Sequence, residues 1–276
     1  MSDLVHSAFY RFTPLADPAA AADALRVLAQ GLHGSVVVAH EGVNGTVAGA
    51  PPAVAAFEAA LQRPDVLGGA LRGMAFKHSG GATAPFGRLK VGVKPEIVAL
   101  GWPPVAGPLP APDEHDASHL GPPAWRALLA RDDVVVLDNR NHFEYRLGHF
   151  RGALDPQVHH FRDFVAWVQQ QAPAWRAAGR PVAMYCTGGI RCDKTAPWLR
   201  SLGLEVWQLD GGILNYLQSL DEAACDWLGD CFVFDNRVAL DSRLHETGTT
   251  AEQVFDPTHP DEAWRLQRAR RLDGAA

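Results

Sequence analysis

Residues 181–203 constrain the fold more than any other stretch of the chain. Pro181-Val182-Ala183-Met184-Tyr185 is a short apolar run that delivers Cys186 into a six-residue turn closed by Arg191. A helical pattern follows through Leu202 and is stopped by Gly203. Strand, tight turn and helix together make one half of a crossover unit, and similar units flank it. Apolar strands are expected at 134–137 and 205–209, with helices at 125–129 and 161–172. Continuous apolar strands separated by helices imply a parallel sheet covered on both faces and wound right-handedly. Ligands of such sheets sit at the carboxyl ends of the strands, which is where Cys186 falls.

The turn itself points to cysteine chemistry. A thiolate is a nucleophile and a thiol a poor one, so a reactive cysteine needs its negative charge stabilised. Backbone N–H groups curled inward at a helix N-terminus supply that, and Arg191 adds a fixed positive charge. Cys186 is therefore the candidate catalytic residue, with Thr187, Gly188, Gly189, Ile190, Arg191 and Cys192 as the anion-stabilising loop. Gly188 and Gly189 let the backbone curl without a Cβ penalty. The competing reading is a buried structural cysteine. Two glycines and an arginine in one turn favour the reactive one. Cys192 is placed either to resolve an oxidised Cys186 or to pack beneath the turn.

The first hundred residues alternate differently. A strand is expected at 7–12, and a helix opened by Asp17-Pro18 runs to about residue 32. A second strand follows at 35–39, then a turn at Gly42-Val43-Asn44-Gly45 and a strand resuming at 46–48. An amphipathic helix at 51–63 carries Val54, Phe57, Ala60 and Leu61, and a β-rich segment spans 88–100. The order βαββαβ is the ferredoxin-like α+β arrangement. Seven prolines, from Pro103 to Pro123, then mark a stiff linker. The expected organisation is a ferredoxin-like domain over 1–101, a linker over 102–123, an α/β domain over 124–222 and a C-terminal extension over 223–276.

Composition narrows the setting. In 276 residues the four cysteines, Cys186, Cys192, Cys225 and Cys231, make no disulfide scaffold. With no signal-peptide pattern and no apolar run long enough to span a bilayer, a cytoplasmic protein that does not engage membranes is expected. A formal net charge of −6 argues against a protein that coats nucleic acid. Residues 63–94 nevertheless hold Arg63, Arg72, Lys77, Arg88, Lys90 and Lys94 against the single acid Asp65. Charge alone leaves two readings of that segment open, a solvated loop and a phosphate-contacting face. The basic run 264–271 reads as a solvated helix, and His159-His160, adjacent rather than helically spaced, as surface residues. No metal site is expected.

Leu137-Asp138-Asn139-Arg140-Asn141-His142-Phe143-Glu144, Gly148-His149-Phe150-Arg151-Gly152-Ala153, the cysteine turn and Gly211-Gly212-Ile213 together resemble the rhodanese signature. Asp138, Arg140 and Glu144 are read as residues that support the loop. Four residues separate Cys186 from Arg191, one fewer than in the related phosphatases, which weighs against phosphatase chemistry. Further motifs narrow the resemblance. They are Glu41-Gly42-Val43-Asn44-Gly45-Thr46, Pro85-Phe86-Gly87-Arg88-Leu89-Lys90-Val91, Lys94-Pro95-Glu96-Ile97-Val98-Ala99-Leu100-Gly101 and Gly229-Asp230-Cys231-Phe232-Val233-Phe234-Asp235. With these, residues from about 9 to 243 are similar to the rhodanese-domain tRNA uridine(34) hydroxylases.

That resemblance implies an oxidoreductase that converts the wobble uridine of tRNA to 5-hydroxyuridine. Molecular oxygen would be the co-substrate, no further cofactor is needed, and Cys186 is the essential cysteine. It makes the tRNA anticodon loop the expected partner, with Arg72, Lys77, Arg88, Lys90 and Lys94 as candidate RNA contacts. Many relatives continue into a cysteine-rich tail, whereas no cysteine follows Cys231 here. Two other classes use the same turn. A sulfurtransferase would carry a persulfide on Cys186. A regulatory module would use the turn as a sensor, and the intact cysteine argues against that.

Overall fold

The computed structural model describes residues 4–81, 86–101, 117–220 and 225–273. In the first part, β1 (Leu4–Phe12) leads to α1 (Pro18–Leu28), where Asp17 Oδ1 accepts from the N–H groups of Ala19 and Ala20 and Pro18 occupies the first turn. The strands β2 (His33–Ala39) and β3 (Gly42–Gly49) form a hairpin, followed by α2 (Pro51–Leu61), β4 (Phe76–Gly81) and β5 (Leu89–Val93). The sheet order is β4-β1-β3-β2-β5, with β5 parallel to β2 and the other pairs antiparallel. This is the expected α+β arrangement with one strand added at an edge. Both helices cover one face, where Leu25, Phe57 and Leu61 pack on Phe9, Val36 and Val47. The other face is turned toward the cysteine turn.

Two details differ from the sequence reading. The hairpin turns at His40-Glu41, since Ala39 pairs with Gly42, so Gly42-Val43-Asn44-Gly45 lies within β3. Gly42 is required there by close approach: at φ +141° a Cβ would stand 1.9 Å from the Arg11 carbonyl oxygen. The fourth strand of the βαββαβ unit is β4 rather than the segment 88–100, whose residues Leu89–Val93 form the added edge.

In the second part, β6 (His119–Leu120), α3 (Pro122–Leu129), β7 (Val135–Asp138), α4 (His142–Leu147), β8 (Gly148–Phe150) and α5 (Phe164–Ala177) come first. They are followed by β9 (Val182–Tyr185), α6 (Ile190–Ser201), β10 (Val206–Leu209) and α7 (Gly212–Ser219). The sheet runs β6-β10-β9-β7, all parallel, as the apolar strands required. Leu137, Phe164, Met184 and Leu199 fill one side, and Trp125, Phe150, Tyr185 and Ile213 the other. Of the expected linker, residues 102–116 lie outside the described residues. His119 and Leu120, near its end, already pair with β10.

The chain then folds back over both parts. β11 (Trp227–Gly229) pairs with β8, β12 (Cys231–Phe232) with β13 (Ala239–Leu240), and α8 (Ala251–Val254) and α9 (Pro260–Asp273) follow. Arg237 Nη1 donates to Ser79 Oγ at 2.8 Å, tying this extension to β4. Buried Glu262 accepts from Arg146 Nη2 at 2.7 Å and from the Asp256 N–H at 2.8 Å. His159 stacks on His259 with ring centroids 3.6 Å apart. His159 and His160 are therefore part-buried contacts of the extension rather than surface residues. Among the described residues, no helix is long and apolar enough to cross a membrane.

Candidate active site

The turn Cys186–Arg191 joins the end of β9 to the start of α6. Its shape is set from below by α7. The N–H groups of Ile213 and Leu214 donate to the carbonyl oxygens of Cys186 (2.9 Å) and Thr187 (3.1 Å). Carbonyls held outward in this way leave the turn's own N–H groups facing inward. Gly212 makes that contact possible. At φ +70° a Cβ there would lie 2.5 Å from the Cys186 carbonyl oxygen and 2.8 Å from the Gly189 nitrogen. Gly189, at φ +100°, opens α6, and its N–H donates to Cys186 Sγ at 3.1 Å.

Electrostatics then decide the state of the sulfur. Burial raises the Cys186 pKa. The Cys192 thiol, the Arg191 charge and the N–H groups of Arg191 and Cys192 outweigh it, bringing the value down from 9.0 to about 6. Cys186 is thus a thiolate at neutral pH. Burial and the neighbouring anion push Cys192 well up, so it stays a thiol that donates to Cys186. Cys186 is only 1% exposed. It meets solvent as part of the lining of an open cavity of about 1450 Å³, to which β1, β4, the turn, α7 and the C-terminal extension all contribute.

Glu144 and Arg191 come together. Arg191 Nη1 donates to Glu144 Oε1 at 3.1 Å and Nη2 lies 3.0 Å from Oε2, with both residues buried. Such two-point pairing fixes the guanidinium plane beside the turn. Phe161 and Phe234 lie on it, with centroids 5.6 and 5.4 Å from Cζ. Asp138 and Arg140 lie a layer below. Arg140 Nε and Nη2 donate to the Asp138 carboxylate at 2.9 and 2.6 Å, Tyr185 OH donates to Asp138 Oδ2 at 2.6 Å, and Arg140 Nη2 reaches the Gly148 carbonyl at 2.6 Å. This pair fastens β7 to β9 and β8 without touching the cavity. Asn139 between them donates to Thr195 Oγ1 at 2.7 Å, which itself donates to the Arg191 carbonyl at 2.8 Å.

The five candidate RNA contacts separate. Lys77 leaves the surface: its ammonium donates to the Gly188 carbonyl, stands 5.0 Å from the centre of the Tyr10 ring and lines the cavity. Arg72, Arg88, Lys90 and Lys94 are exposed and stay outside the cavity lining.

Sequence reasoning missed several residues of the site. Tyr10 OH donates to Asp193 Oδ2 at 2.7 Å, bringing β1 against the first turn of α6. Lys194 donates to Glu41 Oε1 and Oε2 (2.8 and 3.0 Å), to Glu96 and to the Val98 carbonyl (2.9 Å), so the helix after the turn is clamped to the first sheet. Glu41 also accepts from the Ile97 N–H at 2.7 Å, and Asn44 Nδ2 donates to the Ile97 carbonyl at 3.0 Å. Glu41, Asn44, Glu96 and Lys194 all sit in stretches already singled out in the sequence. Their mutual contact crosses between two parts of the fold, which no single stretch displays. Arg265 on α9, expected in a solvated helix, stacks over Phe143 at 5.1 Å and lines the cavity.

Comparison with known proteins matches this architecture. Residues 4–97 match the family described as the UPF0176 acylphosphatase like domain, and residues 122–219 match the rhodanese-like domain. Along nearly the whole length, the chain is 41% identical over 258 residues to the tRNA uridine(34) hydroxylase of Nitrobacter winogradskyi, covering 92% of this chain and 98% of that one. The protein of the same name from Deinococcus radiodurans is 42% identical over 243 residues, covering 87% and 77%. That from Synechococcus elongatus is 44% identical over 239 residues, covering 86% and 85%.

Proposed function

The chain belongs to the tRNA uridine(34) hydroxylase family, and from that premise we propose that it hydroxylates uridine 34 of tRNA at carbon 5, with Cys186 as covalent nucleophile and molecular oxygen as co-substrate. The observation that carries this reading is the sulfur itself: an anion at neutral pH, ringed by amides, on the wall of a cavity wide enough for a nucleoside.

Carbon 5 of uracil is a weak nucleophile toward oxygen. Addition of the Cys186 thiolate to carbon 6 breaks the adjacent double bond and gives carbon 5 enolate character. Oxygen then bonds to carbon 5. Release of its second atom as water draws two electrons from a thiol-class reductant. Loss of the carbon 5 proton and of the cysteine restores the ring. The inward N–H groups and Arg191 hold the sulfur as an anion before attack and again as it leaves. An anticodon base is already largely unstacked, so bringing it out to the cavity costs little. Asp138, Arg140 and Glu144 serve as supports in this scheme, and the exposed Arg72, Arg88, Lys90 and Lys94 as contacts to phosphates of the tRNA. Alanine at Arg88 and Lys90 is expected to lower the slope of log affinity against log salt by about 0.7–0.9 per lost contact. An unchanged slope removes these two from the interface.

Nucleoside mass spectrometry tests the reading. tRNA from cells lacking the protein is compared after return of the wild type or of Cys186→Ser. Only the wild type is expected to restore 5-hydroxyuridine. Full restoration by Cys186→Ser contradicts the proposal. Cyanide-dependent thiocyanate release without hydroxylation assigns the turn to sulfur transfer instead.

A further inference from the structure

Lys77 is a cation that the first sheet extends to the cysteine turn. It lies opposite Ala8 in the β1–β4 ladder, while the neighbouring pair Phe9 and Phe76 points into the helix-covered core. Alternation along a strand therefore sends Lys77 to the opposite face. There its ammonium meets the Gly188 carbonyl and the face of Tyr10. An ammonium carries three N–H donors, and the other two make no further hydrogen bond among the described residues.

The two cations beside the sulfur differ in what neutralises them. Arg191 spends two N–H groups on Glu144, so its charge is largely compensated where it stands. Lys77 has no carboxylate at ion-pair distance among the described residues. Burial holds its pKa below the ordinary lysine value, although the charges of Asp193, Cys186 and Asp210 act the other way. A desolvated cation with no carboxylate paired to it gains most from a new negative charge arriving in the cavity.

We propose that Lys77 is a second catalytic residue of the reaction assigned above, its ammonium hydrogen-bonding the oxygen on carbon 4 of the uracil as Cys186 Sγ bonds to carbon 6. The inference rests on that reading. In the step, the thiolate pair becomes the S–C6 bond and the C5–C6 π pair moves through carbon 5 to the carbon 4 oxygen. The proton remains on Nζ, and the hydrogen bond strengthens as the oxygen becomes an enolate. Recognition follows from the same contact. Uracil presents an acceptor at that position and cytosine an amino donor, and an ammonium is donor only. Lys77 thus favours uridine over cytidine.

The addition step is testable without oxygen. An anticodon stem-loop RNA carrying 5-fluorouridine at position 34 is incubated anaerobically with the full chain, and the covalent adduct is counted by intact mass. Wild type forms the adduct and Cys186→Ser does not. Lys77→Met is expected to slow adduct formation about a hundredfold, the scale of one lost oxyanion donor, while RNA dissociation constants stay within about threefold. Alkylation of Cys186 by iodoacetamide well above its pKa stays at the wild-type rate, showing an intact turn. Lys77→Arg recovers part of the rate. An unchanged adduct rate in Lys77→Met overturns the inference. So does a loss explained by weaker RNA binding alone, or by failed alkylation, which makes Lys77 a phosphate contact or a brace. Absence of adduct in a wild type that still hydroxylates tRNA overturns the carbon 6 attack itself, and the Lys77 role with it.

Discussion

At the residue scale, Cys186 combines two properties that oppose each other in most proteins: near-complete burial and a stabilised anion. Desolvation alone would raise its pKa, as it does for Cys231, pushed up to about 12. The contrast between the two buried cysteines isolates what the turn supplies. Alkylation of Cys186 is expected to titrate with a midpoint near pH 6, falling at lower pH as the sulfur protonates. Arg191→Met removes a charge that favours the thiolate, so the midpoint moves up. A midpoint at the ordinary thiol value in the wild type contradicts the electrostatic account. The nucleophile and its arginine were legible in the sequence because the turn is local. Tyr10 was not, nor was the place of Lys77, read from sequence as an RNA contact, because the sheet that presents them lies more than a hundred residues away in the chain.

At the element scale, the turn is shaped as much by α7 as by α6. Gly211-Gly212 is visible in the sequence as a motif, but its purpose appears only when the α7 N–H groups are seen on the Cys186 and Thr187 carbonyls. Gly212→Ala places a Cβ against three backbone atoms and forces a left-handed φ, a strain of about 1–3 kcal/mol before any shift of the turn. The variant is expected to fold with a lower melting temperature and a raised Cys186 pKa in the same alkylation titration. Retention of both wild-type values shows that α7 does not shape the turn. The parallel strands β7, β9 and β10 were legible because each is a largely apolar run, whereas β6, two residues within the stretch read as linker, was not. β4 was not: Phe76-Lys77-His78-Ser79-Gly80-Gly81 has no β-branched residue, and pairing with β1 makes it a strand.

On the scale of the whole molecule, three parts of the chain share one cavity and are held around it by charged contacts. Lys194 reaches Glu41 and Glu96 from the helix that begins at the turn, and Arg237 reaches Ser79 from the extension. Lys194→Ala leaves two part-buried carboxylates without their shared cation, at an expected cost of about 2–4 kcal/mol. Urea unfolding reads this directly. A change below about 0.5 kcal/mol shows that the parts are held by other contacts. The order of an α+β part followed by a parallel-sheet part was legible from periodicity. The extension's return over the cavity was not, since β11, β12 and β13 are two or three residues long and carry little pattern of their own.

If a thiolate at Cys186 opens carbon 5 of uridine 34 to molecular oxygen, the new hydroxyl carries an atom from the gas. Growing cells under heavy-isotope oxygen, with the protein as wild type or Cys186→Ser, and weighing the hydroxylated nucleoside tests it most directly. Heavy 5-hydroxyuridine is expected in the wild type and none in the variant. Hydroxylated uridine carrying only ordinary oxygen, or persisting in Cys186→Ser, contradicts it.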